Sequence, residues 1–211
     1  MGRRPQPEIR EHLLDACTSH ALEHGLPDRM GPLAAAAGTS TRMLVYHFGT
    51  RDQLLREILR QARQRQLEAF GQMLRPRPTE PYLDTLARAW EQITGPEGRP
   101  YLRMFDQLHI AQLRDSAGRP LWPDFRRIAT TDWLGPLEEG LACMRRPELA
   151  TVVLATLRGL LMDLNATGDT ARTARAWRDF LDAIRQGSAP SCPPRSEPMP
   201  SDDGAAGGGA S

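Results

Sequence analysis

At 211 residues the chain is long enough to bury a real core, and its 40% hydrophobic and 25% charged content is that of an ordinary globular protein. The formal net charge of +1 excludes a global basic field, so any nucleic-acid binding must rest on a local patch. Three widely spaced cysteines, Cys17, Cys143 and Cys192, form no CxxC and no His/Cys ligand spacing, which argues against a disulfide framework, a zinc site or any metal cofactor.

In chain order the elements read as helices. Apolar positions Ile9, Leu13, Ala16, Cys17 and Ala21 recur at three- and four-residue steps from Glu8 to His24, and Gly25 ends that helix. A short helix is expected from Arg29 to Ala37, capped by Asp28, with Pro32 in its first turn and Gly38 at its end. A second short helix should span Ser40 to Tyr46, capped by Thr39 or Ser40. Thr50 and Gln53 have capping-box spacing, and they open a long helix that runs to Leu74. The breaker segment Arg75 to Pro81 marks a domain boundary. Five further helical segments follow, at 81–94, 100–115, 120–144, 147–167 and 170–186, with Gly135-Pro136 expected to kink or break the third. The tail 187–211 is rich in Pro, Gly, Ser and Ala, and is expected to be disordered. No alternating strand of useful length and no internal repeat is found. The N-terminus is charged and has no apolar signal core, and no run approaches the ~20 residues that span a bilayer. A cytoplasmic protein without a membrane partner is therefore expected.

The first three helices, with a tight glycine turn between the second and third, describe a helix-turn-helix unit. Leu33, Ala34 and Ala37 are small or apolar where two helices must cross, Gly38 suits a positive-φ turn, and Leu44 and Phe48 face the core. Thr41, Arg42 and Met43 then point outward at the front of the third helix, where side chains reach base edges in a major groove.

The stretch AAAAGTSTRMLVYHFGTRDQLL resembles the DNA-binding domain of the TetR family of bacterial transcriptional regulators. The matching residues are Leu33-Ala34, Ala37-Gly38, Thr39-Ser40, Leu44, His47-Phe48, Thr50, Arg51 and Leu54-Leu55, in a variant RMLxYHFG form. Val45 stands where the family usually has tyrosine, with Tyr46 one place later. The resemblance implies an all-α fold of about nine helices. Its parts would be a DNA-binding domain at 1–50, a linking helix at 51–74, and an effector-binding and dimerisation domain at 75–186. It implies DNA contacts from Thr39, Ser40, Thr41, Arg42, Met43, Tyr46, His47 and Arg51, with Arg3 and Arg4 as a basic arm. Arg42 would read guanine through its O6 and N7 acceptors.

The resemblance further implies a homodimer on a palindromic operator, released by a small hydrophobic effector. Leu154, Leu157, Leu161 and Leu164, with Trp177, Phe180, Leu181 and Ile184, are the expected dimer face on the last two helices. Trp90, Met104, Phe105, His109, Phe125, Trp133 and Asn165 are the expected effector contacts. Two other readings compete. One is a helical interaction module of the same fold that no longer reads DNA. The other is a small helical enzyme using Asp106 and His109 at i, i+3, although no nucleophile, phosphate-loop or paired-carboxylate motif supports it.

Overall fold

The computed structural model describes residues 7–110 and 114–187, apart from the side chains of 107–110 and 126; Arg3, Arg4 and Cys192 lie outside the described residues. Among the described residues the protein is all-helical. The helices are α1 (Pro7–His24), α2 (Met30–Ala36), α3 (Thr41–Phe48), α4 (Arg51–Phe70), α5 (Tyr82–Thr94), α6 (Arg99–Ile110), α7 (Phe125–Cys143), α8 (Ala150–Thr167) and α9 (Thr170–Gly187). A single 3₁₀ turn, Pro147–Leu149, leads into α8, and an isolated antiparallel bridge joins Arg114 to Pro120.

Local chemistry fixes most of the boundaries. Gly25 and Gly38 take φ of 87° and 61°, left-handed values that a Cβ disfavours, after α1 and α2. Ser40 caps α3: its side chain accepts from the Met43 amide at 3.2 Å. At α4 the full capping box forms. The Gln53 amide donates to Thr50 Oγ1 at 3.2 Å, and the Thr50 amide donates to Gln53 Oε1 at 2.8 Å.

Several expectations are corrected. The cap position of α2 is Arg29, not Asp28, and no side chain bonds there. Helix α4 stops at Phe70 because the chain tightens into turns in which the Met73 amide bonds the Phe70 carbonyl. Helix α7 starts at Phe125, and Pro136 does not break it. Proline forfeits one helical hydrogen bond, a cost of ~3 kcal/mol. Here Leu137 and Leu141 beyond it are both fully buried, and that burial holds the helix together. By length and composition alone the segment Pro147–Thr167 is long and apolar enough to cross a membrane, a run the reading of the sequence did not single out; its inner face packs into one of two hydrophobic cores.

Two cores form. The first joins Leu13, Cys17, Leu33, Leu44, Phe48 and the inner face of α4 to Met104, Phe105, Leu121, Phe125 and Ala129. The short N-terminal helices therefore share their core with α6 and the start of α7. The second packs α5, α7, α8 and α9 around the far end of α4. It absorbs Leu154, Leu157, Leu161, Trp177, Leu181 and Ile184, and Leu164 is buried too. These seven expected dimer residues are intrachain core; only Phe180 is half-buried. Helical periodicity marks which positions are apolar, but not whose surface covers them.

Candidate functional site

The surface of α3 is built from the turn outward. Leu44 and Phe48 are buried and fix the helix to the core, which leaves Thr41, Arg42, Met43, Val45 and Tyr46 exposed on the other side. Ser40 is committed to its cap, and Thr39 is half-buried in the turn. His47 is half-buried, edge-on to Tyr46 with ring centroids 5.1 Å apart, and its buried Nδ1 has no partner. Its carbonyl, one of the last-turn acceptors a helix leaves open, receives Arg10 Nε at 3.4 Å. Arg10 also pairs with Glu57 and lies 4.9 Å from the Phe48 ring centroid. Arg10 thus locks α1, α3 and α4 together, a role the sequence did not suggest. Arg51 donates through Nη2 to the Pro27 carbonyl at 2.9 Å and faces Asp52 at 3.4 Å. Its guanidinium is engaged by the protein's own backbone and by a carboxylate.

A second feature lies between α4, α6, α7 and α8. It is a cavity of about 120 Å³. Of the residues named as effector contacts, Phe105, Phe125, Trp133 and Asn165 line it. Trp90 does not: it is buried in the second core and stacks on Trp177 at 5.7 Å. Met104 is buried in the first core instead, and the His109 side chain is outside the described residues. The lining also includes residues that were not among the expected effector contacts: Arg63, Gln66, Tyr101, Asp106 and Arg158, with Met162 at an exposed edge. Arg63 is 6% exposed; it donates to Gln66 and pairs with Asp132, while its Nε is buried without a partner. Arg158 is half-buried and donates to the Thr130 hydroxyl at 3.1 Å. Burial lowers the pKa of its guanidinium, and the nearby Arg63 charge adds to that. In a chain whose basic residues are all arginine, nothing in the sequence sets Arg63 and Arg158 apart. No group of three or more metal-ligating side chains occurs among the described residues.

No protein-family model matches the chain, and no curated protein matches it significantly. Solved structures do match. A transcriptional regulator from a Rhodococcus species is 21% identical, over 84% of this chain and 96% of its own, with a TM-score of 0.66. The multidrug binding protein EbrR, solved with ethidium, is 26% identical over 85% of this chain and 99% of its own, with a TM-score of 0.58. SmeT, the repressor of the Stenotrophomonas maltophilia multidrug efflux pump SmeDEF, is 17% identical over 90% and 97% of the two chains, with a TM-score of 0.58. The chain therefore has the fold of TetR-type transcriptional regulators. These structural neighbours are regulators and not enzymes, and the His109 side chain on which the Asp106/His109 reading depends lies outside the described residues.

Proposed function

We propose that the protein is a ligand-responsive DNA-binding transcriptional regulator. It acts as a repressor, binds a palindromic operator as a homodimer in the bacterial cytoplasm, and leaves it when a small effector fills the cavity between α4 and α8. One observation carries this reading above the others: α3 follows a tight glycine turn, is anchored by Leu44 and Phe48, and exposes Thr41, Arg42, Met43 and Tyr46 in one continuous row. Arg42 is assigned to guanine and Met43 to a thymine methyl. Tyr46, Thr39 and Ser40 are assigned to the duplex edge, with Arg3 and Arg4 as a minor-groove arm. His47 and Arg51 are assigned to hold the head's shape as well as to lie near phosphate. The head at 1–50, the linking helix at 51–74 and the sensor at 75–186 belong to the same proposal.

The release mechanism is a population shift. The effector binds the DNA-incompetent state better, and operator affinity falls by that difference. EbrR, whose fold this chain shares, was solved with ethidium, which supports a small-molecule site in this fold. The dimer face is assigned to the outward side of α8, where Val152 and Met162 are each 50% exposed and Ala155, Gly159 and Ala166 lie between and beyond them. Only 33% of the apolar window of Pro147–Thr167 is buried within the chain, so this helix has a face left to cover.

The test is an anisotropy titration of the DNA upstream of the protein's own gene. Specific binding that weakens steeply with salt is expected. Arg42→Ala with Tyr46→Ala should weaken it at least tenfold, and unchanged affinity would overturn the α3 assignment. A second reading, the interaction module that does not read DNA, has two observations in its favour. Val45 replaces the family's usual tyrosine, and residues 7–50 hold three arginines, Arg10, Arg29 and Arg42, against the five acids Glu8, Glu11, Asp15, Glu23 and Asp28. Salt-insensitive or absent DNA binding would decide for it.

A further inference from the structure

We propose that the effector is an amphipathic anion, an aromatic carboxylate, whose charged end is received between Arg63 on α4 and Arg158 on α8. The inference rests on the ligand-responsive reading above and names the chemical class that reading leaves open.

Two independent features of the cavity lead there. The first is Arg63. It is almost fully buried on the cavity wall, and Nε, a donor with nowhere else to turn, has no partner. A buried N–H without an acceptor is costly, so such a group marks a position that an incoming acceptor would satisfy. The second is Arg158. Its guanidinium is half-buried on the same wall, among the described residues it makes no ion pair, and its hydrogen bond goes to the neutral Thr130 hydroxyl. A guanidinium has five donors and no acceptor, which leaves most of Arg158 unmatched. Both side chains line the same cavity, and burial, with the Arg63 charge adding to it, disfavours the Arg158 charge. An anion between them relieves both penalties at once. A carboxylate also matches the planar fork geometry of arginine. The remaining lining, Tyr101, Leu102, Phe105, Phe125, Trp133 and Leu161, is an aromatic and aliphatic slot that suits a flat ring.

Asp106 is the opposing charge on the wall, and it is what a cationic ligand would use. It stands singly on α6, whereas the donors form a pair across two helices, and Asp132 neutralises only Arg63. Formal charge around the cavity balances once Asp132 is counted against Arg63, so the ligand's sign is set by the donors left without acceptors, Arg63 Nε and most of the N–H groups of Arg158, which only an acceptor satisfies. The position also gives the ligand leverage. Arg63 lies on the helix that begins at the Thr50 cap directly after α3, and Arg158 lies on the helix with the uncovered apolar face. A carboxylate bridging them ties the lever of the reading head to the helix assigned to the dimer.

The experiment is calorimetric titration of the full-length protein with three probes that share one ring system: 1-naphthoate, 1-naphthamide and 1-naphthylmethylammonium. The expected result is that 1-naphthoate binds at least tenfold more tightly than the amide, with the ammonium weakest. In Arg158→Met the ratio of acid to amide affinity should fall to near one, and Arg158→Lys should restore part of it. Equal affinities for acid and amide, an acid preference that survives in Arg158→Met, or tightest binding of the ammonium would each overturn the proposal. An operator-release assay with the same probes separates it from the broader reading. Acid-selective, Arg158-dependent binding without release of DNA would support the anion site and defeat the regulatory reading. Release driven by all three probes alike would do the reverse, and binding of none would end both.

Discussion

Cys17 lies at the centre of the first core, fully buried, with its Sγ donating to the Leu33 carbonyl at 3.6 Å. Burial pushes its pKa from 9.0 up to about 11. The sign follows from linkage. The unfolded chain loses the thiol proton first, so the contribution to stability is fully present below pH 9 and is lost as pH rises towards 11, in total on the order of 3 kcal/mol. Urea unfolding between pH 8 and pH 11 should show this alkaline decline, and Cys17→Ala should flatten it; an equally steep decline in the variant would contradict the assignment. Gly140 shows the same scale of argument in packing. A Cβ there would lie 2.0 Å from atoms of the Tyr82 ring, and that ring cannot retreat. The Tyr82 hydroxyl shares its one hydrogen between the Leu74 carbonyl at 2.8 Å and the Pro136 carbonyl at 3.2 Å, which ties the end of the turn after α4 to α7. In an open helix Gly→Ala would stabilise by about 1 kcal/mol. In Gly140→Ala the clash should win and cost about 1–3 kcal/mol, the range for overpacked cores. A raised melting temperature would refute this account of why glycine stands there.

At the scale of elements, the legible features were the local ones. Ser40 and the Thr50–Gln53 box could be read from the sequence because cap and capped amide lie three residues apart. The docking of the loop after α6 was not legible, because the bonds that tie it to α4 are long-range. Asp115 receives the Ala117 and Arg119 amides within its own turn and pairs with Arg56 of α4 at 2.8 Å. Asp52, in the first turn of α4, accepts the Ser116 amide at 2.8 Å. The Arg119 amide holds the Asp115 carboxyl below its ordinary value, and the Ser116 amide does the same for Asp52. Both pKa values are depressed, so the stability they confer is present above about pH 4 and is lost as pH falls below it. Thermal melts from pH 6 down to pH 2 should therefore show a loss that Asp115→Asn makes shallower, together with a lower midpoint at pH 7. An unchanged acid limb in the variant would show that this clasp contributes nothing. The cavity was half legible for a related reason. Phe105, Phe125 and Trp133 stand out as aromatics, but Arg63 and Arg158 look like any surface arginine until four helices converge around them.

At the scale of the whole molecule, the dimer assignment moved from one side of α8 to the other. The row Val153, Leu154, Leu157, Leu161 and Leu164 is the more apolar, and for that reason the chain keeps it for itself. The exposed row Val152, Ala155, Gly159, Met162 and Ala166 advances by three and four residues alternately, so it stays on one face over the length of the helix. Its small members would let two backbones approach closely about a two-fold axis. Gly159 offers a clean probe, because a Cβ added there meets nothing within 4 Å in the single chain. Gly159→Arg should leave the fold intact, since arginine is the better helix former by close to 1 kcal/mol. Light scattering should then give the mass of one 23.5 kDa chain where the parent gives twice that. Operator affinity should fall at least tenfold, because one short reading helix makes too few contacts to hold a specific site by itself. A variant that stays dimeric would remove α8 from the interface. A variant that is monomeric but binds the operator as tightly as the parent would keep the interface and remove the need for two reading heads.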